Sequence, residues 1–208
     1  IPFLCSASIT LSIILFPFTF TNGFGVCSVT GLIRVPFPAA IMIALCVVVQ
    51  LLKTPGTLPI TGGLINLILI IDTLYCGLLS GVIVSVVAPV TSFIITQSAI
   101  ISTVPMILPF IMLGNIVIVL FAWFVRGKKL ELNLLPLSLV TGSFAKWAVM
   151  NLLIVKWVIP TFGSHLSPKM TRIAGVTYST TQLYAALLGT AAACIIWPVV
   201  RIAVKRLH

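Results

Sequence analysis

Between Ile60 and Ile95 the chain runs for 36 residues with a single charged side chain, Asp72. As helix, at about 1.5 Å per residue, that run is roughly 54 Å long: too much for one crossing of a hydrocarbon core of about 30 Å, and slightly short of two full ones. A segment this apolar belongs in lipid, where the backbone must satisfy its own hydrogen bonds, so helix is the expected form. Two short helices are expected, over 60–74 and 76–95, meeting near Asp72-Thr73-Leu74-Tyr75-Cys76-Gly77; one span followed by a re-entrant piece is the alternative.

Four more segments have the same character. The first, 36–53, is opened by Pro36 and Pro38, which suit a helix start, and closed by Lys53 before Thr54-Pro55-Gly56. The others are 106–126, ending at Arg126-Gly127-Lys128-Lys129, then 133–158, then 180–204. With 60% hydrophobic and 7% charged residues and a mean hydropathy of +1.29, no water-soluble domain could cover itself with polar surface. Strict alternation of the barrel type is absent. The expected fold is all-α: a polytopic membrane bundle of six transmembrane helices over 34–208. Residues 1–33 form a hydrophobic N-terminal appendage, apolar from Ile9 to Phe20, broken by Pro17 and followed by the Asn22-Gly23 turn pair. They are expected either to add a seventh membrane-associated helix or to lie outside the mature protein.

Twelve Lys and Arg stand against two acids, Asp72 and Glu131. The basic residues sit mainly beside apolar runs, where they read as topology signals and anionic-lipid contacts. No aromatic-and-basic module suggests nucleic acid as a partner. With both core termini cytoplasmic, the inner side holds Arg34, Arg126, Lys128, Lys129, Arg201, Lys205 and Arg206, against Lys53, Lys156, Lys169 and Arg172 outside; this is the orientation the positive-inside rule favours. The outer loops are then 54–59, 96–105 and 159–179, natural lids of an outward-facing site.

Enzyme chemistry finds no support. His165 and His208 pair with no Cys, Ser or carboxylate in a recognisable arrangement, and H-E-x-x-H, G-x-S-x-G and Walker motifs are absent. Cys5, Cys27, Cys46, Cys76 and Cys194 lack C-x-x-C spacing and read as small core residues, so neither metal nor cofactor is expected. ATP, if used, must be hydrolysed by another chain.

Polar residues inside the spans are the informative ones. Lys146 falls near mid-membrane in the fifth helix, where its charge costs about 2.5–3.5 kcal/mol on the insertion scale. Either it snorkels to an interface, or it takes a partner: a carbonyl, water or an anionic ligand. Asn66, Asn115, Asn151 and Gln182 are uncharged candidates, each explained equally well by interhelical hydrogen bonding. Small residues four apart recur. Gly77, Gly81 and Ser85 on the third helix, and Ala185, Gly189 and Ala193 on the sixth, read as core packing. Ala40 and Ala44 on the first helix fit either packing or a docking face. Trp123, Trp157 and Trp197 read as interface anchors, while Trp147 is deep.

The order Ala40-x-x-x-Ala44, Gln50-Leu51-Leu52-Lys53, Ile60-Thr61-Gly62-Gly63-Leu64-Ile65-Asn66, Ala88-Pro89, then Pro109-Phe110-Ile111-Met112-Leu113-Gly114-Asn115 resembles the substrate-specific S components of energy-coupling factor (ECF) vitamin transporters. The resemblance covers 34–208. It implies a six-helix plasma-membrane protein of a prokaryote that captures a micronutrient from outside. It also implies association with a transmembrane coupling protein driven by two cytoplasmic ATPases, and toppling of the loaded subunit to deliver its ligand inward. Carried over, the docking role falls on Ala40 and Ala44, and the lid on the short loop from Lys53 to Pro59. The substrate-binding residues expected are Asn66, Asn115, Lys146, Asn151, Gln182 and Tyr184. Lysines without an outer acid fit an anionic or neutral vitamin rather than a cation such as thiamine. The rival from another class is a small secondary transporter, or a non-catalytic structural subunit; Asp72 is the one intramembrane acid on which ion coupling would rest.

Overall fold

The structure, a computed structural model, describes residues 37–206 apart from 53, 55, 56 and 128–130. The appendage 1–33 and Lys53 therefore lie outside the described residues. The elements are α1 (Phe37–Leu51), α2 (Leu58–Tyr75), α3 (Leu78–Thr96), a short α4 (Ala99–Thr103), α5 (Ile107–Val125) and α6 (Glu131–Met150). A π-helical stretch, Asn151–Val158, continues α6 into α7 (Ile159–Phe162); α8 (Pro168–Tyr178) and α9 (Thr180–Arg206) follow. No strand forms among the described residues. Five stretches are long and apolar enough to cross a membrane, Leu58–Tyr75, Leu78–Thr96, Ile107–Val125, Asn133–Phe162 and Pro168–Ile202, with Ala39–Leu51 as a shorter sixth. The chain is a polytopic all-α membrane bundle.

The run from 60 to 95 resolves into two helices. Gly77 separates them with φ 111°, a conformation that glycine adopts without penalty. Arg126, at the end of α5, closes the turn: its Nε donates to the Leu74 carbonyl at 2.9 Å and its Nη2 to that of Tyr75 at 3.0 Å. Carbonyls left open at the end of α2 thus meet a cation, which the helix dipole also favours. One turn earlier, buried Asp72 accepts from Ser80 Oγ at 2.8 Å, and its Oδ2 has no hydrogen-bond partner among the described residues.

The stretch 159–179, expected as an outer loop, is mostly helix. Ser167 caps α8, its Oγ accepting from the Met170 N–H at 3.3 Å, with Pro168 in the first turn, where a missing N–H costs nothing. Only residues 163–167 and Ser179 remain outside helix there. The expected loop 96–105 likewise contains α4. Before α7 the helix widens to the π form; Pro160 has no N–H for the Lys156 carbonyl, so an α ladder cannot run through it.

At the centre lies α2, packed on α1, α3, α5 and most extensively on α9. Within lipid, close contact between backbones replaces hydrophobic transfer as the source of helix association, and the small residues supply it. A Cβ on Gly62 would meet Ala185 Cβ at 3.0 Å, and one on Gly63 would meet Leu188 Cβ at 3.1 Å. At Gly189 it would meet Asn66 Cβ at 2.6 Å and the Gly63 carbonyl oxygen at 2.7 Å. Contacts rise together in number along both helices, so α2 and α9 run parallel. On the other flank, Gln50 of α1 donates through Nε2 to the Ala88 carbonyl at 2.9 Å and accepts from Thr91 Oγ1 at 3.0 Å, tying α1 to α3.

Gly189→Ala is expected to force α9 away from α2 and lower stability by about 1–3 kcal/mol, because the added carbon meets backbone rather than a movable side-chain tip. Gly175→Ala on α8, where a Cβ meets nothing within 4 Å, should be neutral or stabilise by up to about 1 kcal/mol through helix propensity. Thermal unfolding in detergent checks the pair; equal effects would contradict the packing account.

Candidate functional site

Along α6 and its π continuation, Leu135, Leu139, Ser143, Lys146, Met150, Ile154 and Val158 recur at spacings of three and four, and all are buried. They form the inward stripe of the helix. Lys146 therefore turns into the bundle instead of snorkelling, and its side chain is 2% exposed. Its ammonium donates to Asn66 Oδ1 of α2 at 2.6 Å and to Asn115 Oδ1 of α5 at 2.8 Å. The asparagines are 2% and 5% exposed, and each stands midway along its helix. Three spans are joined at mid-depth through one cation.

Glycines let this happen. A Cβ on Gly114 would meet Met150 Cγ at 2.7 Å and Lys146 Cγ at 3.7 Å, so α5 lies close enough to α6 for the neighbouring Asn115 to receive the lysine. Gly189 admits Asn66 Cβ in the same way from the α9 side. One turn toward the start of α6, Ser143 Oγ and Thr190 Oγ1 share a hydrogen bond of 2.8 Å, joining α6 to α9. Ser143, Thr190, Gly114 and Gly189 were not singled out as site residues from sequence. Ser143 could have been found from its position three residues before Lys146 on the same face.

Two hydrogen bonds to a charged donor, at about 1.5–3 kcal/mol each, offset an insertion cost of about 2.5–3.5 kcal/mol. No carboxylate reaches Lys146 among the described residues. Asp72 lies nearly two turns beyond Asn66 on α2 and is bonded to Ser80; Glu131 opens α6, about 22 Å along the helix from Lys146. The lysine is thus hydrogen-bonded to two neutral amides, with no carboxylate beside it among the described residues.

The remaining expected residues lie apart from this cluster. Asn151 opens the π-helical stretch and is half-buried, as is Gln182 in the first turn of α9; Tyr184 is 59% exposed on the outside of the bundle. No described hydrogen bond links any of the three to Lys146. Trp147 Nε1 donates to Ser179 Oγ at 3.4 Å, bracing α6 against the α8–α9 junction. Beyond the cluster, Ile107, Met150, Ile154, Val158, Ala174 and Tyr178 close the bundle with an apolar core. On α1, Ala40 is 7% exposed and packed with Ile43, Cys46, Ile68 and Ala88, whereas Ala44 lies on an exposed apolar face with Ile41, Leu45 and Val48.

A sequence model of the family described as ECF transporter, substrate-specific component, matches residues 38–201. No curated protein and no solved structure matches the chain.

Proposed function

Since the chain belongs to the family of substrate-specific components of ECF transporters, we propose that it captures a water-soluble vitamin or similar micronutrient, anionic or neutral, outside a prokaryotic plasma membrane. It then hands the ligand to a transmembrane coupling protein driven by two cytoplasmic ATPases. The observation that carries the binding role is the Lys146 cluster, a buried cation at mid-depth held by neutral amides alone. Ionisable residues within membrane spans are rare, face the bundle interior and mark substrate or ion pathways. Asn151, at the start of the π-helical continuation of α6, and Gln182 and Tyr184, near the start of α9, are the further ligand contacts proposed, under the lid formed by the loop from Lys53 to Pro59.

Docking on the coupling protein is assigned to α1. Ala44 marks a shallow point on its exposed apolar face, where a partner helix can approach closely; Ala40 is already covered by the chain's own core, and its small size keeps α1 tight against the bundle. In this reading both core termini and the turn closed by Arg126 face the cytoplasm.

Purification of the tagged full chain from its native membranes in mild detergent tests the assignment. The coupling protein and ATPases should accompany it, and the chain freed of them should hydrolyse no ATP. One observation favours the rival of ion-coupled transport: the buried Asp72 carboxyl with one unpartnered oxygen. Accumulation of substrate by the isolated chain under an ion gradient, stopped by Asp72→Asn, would establish that rival instead.

A further inference from the structure

We infer that the transported molecule is a monoanion bearing a carboxylate, and that its carboxylate is the missing counter-ion of Lys146. This rests on the reading of the Lys146 cluster as the binding site.

Hydrogen-bond chemistry comes first. An ammonium group only donates, so both asparagines must turn their carbonyl oxygens toward it, as Oδ1 of Asn66 and Asn115 do. That orientation leaves the two amide Nδ2 groups as donors, and no described residue accepts from either. The ammonium has three N–H groups and two acceptors. Every open valence at the cluster that belongs to nitrogen is therefore a donor, which suits a ligand made of acceptors. A carboxylate offers two oxygens with about four lone-pair sites and no donor.

Charge selects among acceptors. A neutral ligand would leave the ammonium unbalanced at mid-membrane, and a phosphate monoester, at about −1.5 to −2, would carry surplus negative charge to the same depth. One buried cation balances one negative charge. The two acids of the chain are engaged elsewhere or remote along their helices, so the place of a counter-ion beside Lys146 is open to a ligand carboxylate. A cation such as thiamine would double the unbalanced charge.

The test is equilibrium binding to the purified full chain with matched pairs: nicotinate and nicotinamide, biotin and biotinamide, pantothenate and panthenol, with thiamine as the cation. At least one acid should bind, its uncharged partner at least about 30-fold more weakly, as expected when a buried charge loses its partner. Asn115→Asp places a carboxylate against the ammonium inside the fold. This near-isosteric variant should unfold at a temperature no lower than the wild type and lose the acid. Binding of no acid, or of an acid and its uncharged partner alike, or retention of the acid by Asn115→Asp, would overturn the inference. A neutral or cationic ligand that binds the wild type and is lost in Lys146→Met would overturn the carboxylate while leaving the site in place. Ligand binding indifferent to Lys146→Met would overturn the site itself.

Discussion

Lys146→Met is expected to weaken binding of the transported molecule by about 30-fold or more, and to abolish its uptake, while leaving a folded bundle whose stability changes by only about 1–2 kcal/mol. The stability half of this prediction follows from the near cancellation at the site. Removing the ammonium removes its insertion cost with its two hydrogen bonds, the two amide oxygens left without a donor make the net change a modest loss, and methionine fills the same unbranched volume among Gly114 and Met150. Removing an acceptor should be worse. Asn115→Leu leaves the ammonium in place with one partner fewer, and a buried charged donor left short of an acceptor costs about 3 kcal/mol or more. Thermal unfolding of the two variants beside the wild type checks the order. If Lys146→Met unfolds as readily as Asn115→Leu, the lysine is a structural cross-link; if it binds as well as the wild type, the ligand lies elsewhere.

A second large effect is expected on α1. Ala44→Phe should leave the bundle folded and ligand binding within about twofold of the wild type, yet stop ATP-driven uptake, because the ring would stand on the exposed face where a partner helix must approach. Ala40→Phe should behave differently, since Ala40 packs with Ile43, Ile68 and Ala88 in the core, and overpacking there costs about 1–3 kcal/mol. Its loss of uptake should come with a lowered unfolding temperature. The comparison separates docking from folding: co-purification of the ATPases should fail with Ala44→Phe at full expression of a stable protein. Undiminished uptake by Ala44→Phe would return the alanine pair to ordinary packing.

Much of this architecture was legible because membrane insertion is decided by length and hydropathy, which a sequence displays directly. The 60–95 run had to be broken once, and Gly77 is where it breaks; the small-residue spacing of Ala185, Gly189 and Ala193 predicts packing, and Ala185 and Gly189 lie against Gly62, Gly63 and Asn66 while Ala193 joins the core around Ile70 and Ile118. What failed was 159–179, where abundant Pro, Gly, Ser and Thr suggested loop. The Ser167-Pro168 pair was a helix start in plain view, a capping hydroxyl followed by a residue suited to the first turn. The π-helical stretch has no periodic signature that would have revealed it.

Lys146 shows a deeper difficulty. In a soluble helix the apolar side marks the interior, but in lipid the outer side is equally apolar, so the stripe from Leu135 to Val158 could not be told from the lipid face by hydropathy. Snorkelling and burial both fitted. Its partners lie 80 and 31 residues away in sequence, and only the fold brings them to the ammonium. Asn66 and Asn115 stood out as polar residues in apolar spans; that they share one cation was not readable from either.

The most direct measurement is tracer uptake of a labelled vitamin panel into proteoliposomes holding ATP inside, with the chain present alone and together with its coupling protein and ATPases. Accumulation should require all of them and ATP, and the chain alone should bind its ligand without concentrating it. Accumulation by the chain alone, without ATP and under an ion gradient, would contradict the account.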